Sequence, residues 1–505
     1  MLRLLPPRQG KTRPIADVCL IAEGCYPYVA GGVSTWTDWL IRSQPDLSFR
    51  VLAVLPGAPA GGPLYAAPPN LIGIDHVLLD TDRLGRERQW PGVSPDHLAD
   101  RLDRLLSDGD ELAFAEVLRL TGPSDRKVAL DVLLNSANAW ATICAHYVTM
   151  PHADFLGFFW AWRALVGGLY RMMTCDLPAA RVYHALSTGY AGLLGARAAI
   201  ETGRPFLITE HGIYSNERRI EILMADWIAN SVDRGLDLSD DRRDIRDFWA
   251  RGFESFARLA YMQATGIVSL YEANQAFQYG LGAPPQKLSI IPNGVDVDRF
   301  GSIAHRDHDR PTIAFIGRVA PIKDVQTFID VAELLREEIP FLRALVMGPA
   351  DEDPEYAESC RREVQRRGLE STVEFTGPVN VRDHLGEVDL LVLTSISEAL
   401  PLVVLEAGAA GIPTVATDVG ACREMIEGQA GPLAGIGAGG IIAAVGAAEE
   451  VASAVATLLT NRPLLTRCGE NMRSRVHAAY RDTAVAAAYR DIYQDYLTQH
   501  NRAVA

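Results

Sequence analysis

What this chain lacks narrows its chemistry first. Its 505 residues hold only seven cysteines (Cys19, Cys25, Cys144, Cys175, Cys360, Cys422 and Cys468), scattered and without a CxxC pair. That excludes a disulfide framework and a zinc site, and the thiols read as reduced ones in a cytoplasmic protein. There is no basic tract: 48 Lys and Arg against 63 Asp and Glu leave a formal charge of −15, so nucleic acid is not an expected partner. The opening MLRLLPPRQGKTRP has no apolar run long enough for a signal peptide and reads as a loose arm. Phe155 to Tyr170 (FLGFFWAWRALVGGLY) is apolar nearly all round, but Arg163 interrupts it and it falls short of the roughly 20 residues of a membrane span. It is expected as a buried or interface helix, with membrane contact as the alternative. The Gly31-Gly32 turn is neither a GxGxxG nor a P-loop sequence.

What is present is a strand-helix alternation in a chain long enough for two or three domains. With 48% apolar and 22% charged residues the composition is that of a globular protein. Ile15 to Ile21 and Phe49 to Leu55 read as buried strands. Between them Gly31-Gly32 hands over to a helix marked by Val33, Trp36, Trp39 and Leu40. Such a turn offers backbone N–H groups to a phosphate, although a Gly-Gly turn is often only a turn. Residues from about 57 to 177, opened by the proline- and glycine-rich PGAPAGGP, read as a mainly helical insertion. Strands resume before His184 and His211, putting both at strand C-termini, the edge where open parallel sheets bind ligands. The charged runs NERRIE (Asn216 to Glu221) and Ser239 to Gly252 read as solvated faces. The turn Pro292-Asn293-Gly294 and the polar Ile303 to Arg310 place a domain boundary near Asn293 to Arg310. The domains are therefore 1–300 and 301–480, with 481–505 as a C-terminal helix packing back on the first.

The second domain contains the most informative stretch, Asp389 to Gly420 (DLLVLTSISEALPLVVLEAGAAGIPTVATDVG). It reads as a strand, a polar loop Thr394 to Glu398, a helix from Pro401 to Gly411 and a second strand. Two carboxylates stand eight positions apart: Glu398 in the loop and Glu406 inside an apolar helix, where an ionised group is costly unless something pairs with it. Arg318 and Lys323 lie five apart in a loop after the first strand of this domain. A planar fork and a compact charge together suit a diphosphate; taken alone, they read equally as solvated loop charges. Asp351-Glu352-Asp353 is a D-x-D by letter but precedes an acidic helix and reads as a solvated turn, so no metal is expected.

The set GRVAPIKD, FTG, SISEALPLVVLEAGAAGIPTVATDVG and IIPNGVDVDRF resembles the retaining glycosyltransferases of the GT-B fold, family four. The PelF-type branch, cytoplasmic enzymes of Pel exopolysaccharide biosynthesis, is the nearer resemblance, carried by EGCYPYVAGGVSTW, VYHALSTGYAGLLGA, TEHGIYSNERRIEI and VSLYEANQAFQYGLGA. The resemblance spans Asp17 to about Tyr489. It implies an α/β protein of two Rossmann-like domains facing across a cleft, and transfer of a hexosyl unit from a UDP-sugar to a polysaccharide acceptor. UDP-glucose or a UDP-hexosamine would be the donor, with no cofactor or metal. Arg318 and Lys323 would hold the diphosphate, Glu406 the ribose hydroxyls and Glu398 the hexose hydroxyls. The N–H groups of Ala399 and Leu400 would face sugar or phosphate oxygens. Gly31 and Gly32 would line the phosphate, and His211 would contact the sugar near the reacting carbon.

Two departures matter. Ala399-Leu400-Pro401 replaces the glycine and aromatic usual after the first glutamate, and His184-Ala185-Leu186-Ser187 lacks the second histidine of HAHS. The resemblance also implies an inner-membrane polymer-export complex as partner, with the helix at Phe155 as a docking surface. Two alternatives stand beside transfer: a UDP-sugar 2-epimerase on the same fold, and a non-catalytic sugar-nucleotide-binding subunit of a secretion complex.

Overall fold

The computed structural model describes residues 14–80, 90, 92–122, 128–150, 154–213, 245–306, 310–428, 433 and 435–504. The expected N-terminal arm, the run 216–221 and the start of the charged stretch 239–252 lie outside the described residues. Two compact units emerge, Met1–Ile290 with Tyr489–Ala505, and Ile291–Ala488.

The first unit is built on β1 (Ala16–Glu23), β2 (Phe49–Leu55), β3 (Leu71–Leu78), β4 (Ala180–Ala185), β5 (Phe206–Glu210), β6 (Gly266–Ser269) and β7 (Leu288–Ile290). They form one sheet in the order β3-β2-β1-β4-β5-β6-β7, every pairing parallel. Nearly continuous apolar runs explain β1 and β2, almost every residue of which is buried. The order reverses between β1 and β4, and open parallel sheets bind ligands at the C-terminal ends of the strands that flank such a reversal.

The expected helical insertion needs correction at its start, because β3 extends the sheet there. Its signal is weak: LIGIDHVL is half-exposed, with only Val77 buried. An ion pair from Arg50 to Asp75 (2.8 Å) helps hold it against β2. Helices follow at Pro95–Asp108, Glu111–Leu120, Leu130–Asn135, Ala137–Val148 and Phe155–Thr174. Asp154 caps the last of these through the Gly157 N–H (2.8 Å). Phe158, Trp162, Leu165 and Leu169 are fully buried on its inner face, each contributing about 1.5–3 kcal/mol. Arg163 is buried too and donates to the Leu134 carbonyl (2.8 Å). Leu156 and Trp160 on the outer face are exposed. No helix among the described residues is long and apolar enough to cross a membrane.

The helix Asp482–Val504 ends the described chain. From Tyr489 onward it belongs to the first unit, where Tyr489 and Tyr493 are fully buried and Arg490 donates to the Gln44 side chain (3.1 Å).

The second unit carries β8 (Thr312–Ile316), β9 (Arg343–Met347), β10 (Val373–Gly377), β11 (Leu390–Leu393), β12 (Thr414–Thr417) and β13 (Gly440–Ala443). The order is β10-β9-β8-β11-β12-β13, again all parallel. Its reversal falls between β8 and β11. β13 follows the glycine-rich turn and had no signal beyond the short IIA run. The division comes at Ile290, earlier than composition suggested, because β7 closes the first sheet while Val295 pairs with Arg481 of the second unit.

Candidate active site

In the second unit the chain leaves β8 through Gly317-Arg318 and reaches a single turn of 3-10 helix at Pro321–Lys323. Asp324 then takes a left-handed conformation (φ 48°) and caps the helix Val325–Leu335 through the Thr327 N–H (3.2 Å). Aspartate tolerates that region better than most residues. The loop after β11 is tied to this one: Thr394 donates to the Asp324 carbonyl (2.8 Å) and the Ile396 N–H to the Ile322 carbonyl (2.9 Å).

That stitching brings Lys323 and Glu398 together. The lysine Nζ lies 2.6 Å from the glutamate Oε1, and both side chains are largely shielded, at 18% and 10% exposure. Ser395 donates to the same oxygen (2.7 Å). Arg318 points elsewhere, pairing with Glu352 in the loop after β9. The D-x-D loop is therefore not simply solvated: Glu352 pairs with the arginine, and Asp353 caps the next helix through the Tyr356 N–H (2.9 Å).

Past Glu398 the backbone is held from one side. Ala399 accepts from the Ala421 N–H (2.8 Å), and Leu400 accepts from the Asn293 side chain (3.3 Å). Gly420, at φ 53°, packs so closely that a Cβ there would collide with the Glu398 and Ala399 carbonyls. The carbonyls thus face inward, while the N–H groups of Ala399 and Leu400 have no partner among the described residues. Behind them begins the helix Leu402–Ala410, with Pro401 at its N-cap and Gly411 at its C-cap. Glu406, on this helix, has no hydrogen-bond partner among the described residues. Burial pushes its pKa up to about 7, against a smaller opposing pull from the Arg299 charge.

In the first unit, Gly31 and Gly32 open the helix Gly32–Ser43, which has no side-chain cap. A Cβ at either glycine would meet nothing within 4 Å, so packing does not demand glycine there. A close approach by a ligand to the backbone would.

The two histidines differ. His184 is locked: one ring nitrogen bonds the Tyr493 hydroxyl (2.7 Å), the other that of Thr209 (2.8 Å). It is a structural histidine that ties the C-terminal helix to β4 and β5. His211 stands edge-on to Trp36, ring centres 4.4 Å apart, and its buried Nε2 has no partner among the described residues. Burial pulls its pKa down to about 3, so it is a neutral imidazole at physiological pH.

Sequence reasoning passed over Glu210, immediately before His211. It is fully buried and accepts hydrogen bonds from Thr188 (2.9 Å), Tyr261 (2.6 Å) and Gln278 (2.9 Å). Its charge, added to burial, holds the Tyr261 phenol well above its ordinary range. The signal was a carboxylate ending an otherwise apolar strand.

Comparison with known proteins bears on these two sheets. Residues 16–286 match the family described as a domain of unknown function, DUF3492. The chain belongs to that family. Residues 310–461 match glycosyl transferases group 1. A D-inositol 3-phosphate glycosyltransferase of Catenulispora acidiphila is 33% identical over 250 residues, 46% of this chain and 53% of the relative. A GDP-mannose-dependent phosphatidylinositol monomannoside mannosyltransferase of Mycobacterium tuberculosis is 26% identical over 41% of this chain and 56% of its own. The chain thus spans about half the length of these curated relatives. Among solved structures, HepE of Anabaena in complex with UDP and glucose aligns over 95% of this chain and all of its own, with TM-score 0.57 and 14% identity. Sucrose-phosphate synthase of Thermosynechococcus elongatus aligns over 95% and 99%, with TM-score 0.58 and 15% identity. The DUF3492 chain has the GT-B fold.

Proposed function

We propose that this chain is a retaining glycosyltransferase that moves a hexosyl unit from a UDP-sugar, UDP-glucose or a UDP-hexosamine, to a growing exopolysaccharide of Pel type. The observation that carries the reading is the grouping in one strand-loop-helix unit of the second domain: the Lys323–Glu398 pair, and the N–H groups of Ala399 and Leu400 and the carboxyl of Glu406, which have no hydrogen-bond partner among the described residues. The group 1 glycosyl transferase match over the same residues supports it.

In this reading the donor's diphosphate is met by Arg318, Lys323 and the N–H groups before the helix. These stabilise the negative charge that grows on the leaving group as the glycosidic bond lengthens. Glu398 accepts from the hexose hydroxyls and Glu406 from the ribose. Gly31, Gly32 and His211 keep the roles the resemblance gives them, phosphate approach and contact near the reacting carbon. Retention follows a front-face route, in which the departing phosphate takes the acceptor's proton and positioning does the rest. Burial makes His211 a weak base, which suits a route that asks for no protein base.

UDP is preferred to GDP on the resemblance and on the uridine nucleotide bound to HepE; a GDP-mannose donor in the name of a mycobacterial relative makes that the rival. Calorimetric titration with UDP-glucose, UDP-N-acetylglucosamine and GDP-mannose decides between them. Incubation with UDP-N-acetylglucosamine and no acceptor tests the reaction: formation of the 2-epimer without release of UDP would overturn transfer. We further propose that Leu156 and Trp160 dock on an inner-membrane polymer-export complex. Trp160→Ser is then expected to lose co-sedimentation with membranes while keeping its turnover, and unchanged sedimentation rejects the docking.

A further inference from the structure

Two stretches that leave the C-terminal ends of β1 and β2 carry no charged residue in a chain that is 22% charged. One runs from Gly24 to Thr37 after β1, the other from Pro56 to Ile74 after β2. They fold against each other. The Leu64 N–H donates to the Pro27 carbonyl (2.9 Å), the Tyr26 and Tyr65 rings lie 5.3 Å apart, and the Tyr65 hydroxyl meets that of Thr35 (3.3 Å). Tyr28 bonds the ring of His76 on β3 (2.6 Å), the two rings 5.5 Å apart. Of the flanking charges, Asp38 pairs with Arg42 (2.7 Å) and Asp75 with Arg50 (2.8 Å), while Glu23 accepts from the Ala191 N–H (3.0 Å) and the Ser187 hydroxyl (3.3 Å).

Tyr28 and Tyr65 are each half-buried and His76 is exposed, while their polar ends are held by the bonds just described. What they offer is aromatic surface fixed in place, with hydroxyl and imidazole groups at the rim. The face of an aromatic ring is electron-rich, and the C–H groups on one face of a pyranose carry a slight positive charge, so the two stack. A charged polymer would need a complementary charge that this surface does not have.

We infer that the loops after β1 and β2 form a binding surface for a neutral saccharide chain, with Tyr28 and Tyr65 as stacking faces and His76 and Thr35 as rim partners. The inference rests on the transferase reading for its use, since a hexosyltransferase needs an acceptor. The binding itself is measured apart from transfer.

The test is calorimetric titration of the full chain with three neutral hexasaccharides: β-linked glucose, β-linked N-acetylglucosamine and α-linked glucose. At least one binds, and its affinity changes less than about twofold between 50 and 500 mM salt, because no ion pair is screened. Tyr65→Ala weakens binding about tenfold or more, whereas Tyr65→Phe, which keeps the ring, stays within about twofold, on the scale of losing one stacked aromatic partner. UDP-hexose affinity is unchanged in both variants. No binding of any hexasaccharide, equal binding by Tyr65→Ala, or binding abolished by salt overturns the inference. Saccharide binding without any binding of nucleotide sugars leaves the surface standing and rejects the transferase reading instead.

Discussion

Glu406 permits a quantitative test, because its protonation and its proposed task oppose each other. A pKa of about 7 means that about a tenth of the molecules carry the carboxylate at pH 6 and about nine-tenths at pH 8. Hydrogen bonds from two ribose hydroxyls favour the ionised form, which accepts only. The Kd for a UDP-hexose should therefore fall about tenfold from pH 6 to pH 8, with about fivefold of it by pH 7 and only about twofold more above. A UDP-hexose has no phosphate titrating in that range, so the slope belongs to the protein. The sign for stability is the reverse. The folded pKa is raised above the ordinary 4.5, so the native state binds the proton more tightly than the unfolded one. Stability from this group is fully present below about pH 4.5 and is lost as pH rises through about 7. The loss reaches at most about 3 kcal/mol at pH 8. Glu406→Gln should remove both effects: a flat pH profile of weaker UDP-hexose affinity by calorimetry, and a gain in urea resistance over the parent that grows between about pH 4.5 and about pH 7 and then levels off. A parent with no pH slope, or a Gln variant that keeps the slope, would refute the reasoning.

Three further outcomes are expected. Glu398→Gln should cut turnover about 100-fold while UDP-hexose Kd stays within about threefold, since Lys323 is then freed for phosphate; an equal loss of UDP binding in the Glu398 and Glu406 variants would contradict the division of labour. Glu352→Gln should raise UDP-hexose affinity by up to about fivefold, because the half-exposed pair it breaks holds Arg318 at the scale of an exposed ion pair, and the gain should shrink in high salt. Tyr493→Phe should cost about 1–3 kcal/mol in urea denaturation by leaving a buried nitrogen of His184 unsatisfied; an unchanged midpoint would mean that the C-terminal helix is not tied there as described.

The elements written locally were legible. Pro401 and Gly411 bracket a helix as their chemistry requires, and the strand before Glu398 is a continuous apolar run. β3 and β13 were missed because neither is a buried run: one is a half-exposed edge strand, the other a short stretch after a glycine turn. The site was legible as a set of residue types but not as a set of partners. Lys323 and Glu398 are 75 residues apart, and they meet only because β8 lies beside β11 at the sheet's reversal. His184 and His211 follow the same strand pattern, and only the family resemblance set them apart. The difference is made by Tyr493, 309 residues from His184; no local signal records it.

The charges in the candidate site follow one rule. The ionisable groups of the second domain proposed to meet the substrate are paired or partly neutralised: Lys323 with Glu398, Arg318 with Glu352, and Glu406 protonated at about half occupancy near pH 7. Such an arrangement raises little standing positive potential in a chain of net charge −15, so it draws no polyanion by long-range attraction. A diphosphate gains affinity only by taking Lys323 and Arg318 from their carboxylate partners at contact range, where geometry discriminates. Glu398, once released, is left beside the phosphate with an acceptor oxygen that a hexose hydroxyl can satisfy. Inorganic diphosphate would liberate the same carboxylate and offer it nothing, leaving a shielded charge unpaired at a cost of about 1–3 kcal/mol. Selection for a sugar nucleotide over a bare diphosphate would then come from the glutamate, not from the cations, and in Glu398→Gln the preference for UDP-hexose over inorganic diphosphate should narrow by about tenfold or more. Competition calorimetry with both ligands measures that ratio, and an unchanged preference would place the discrimination elsewhere.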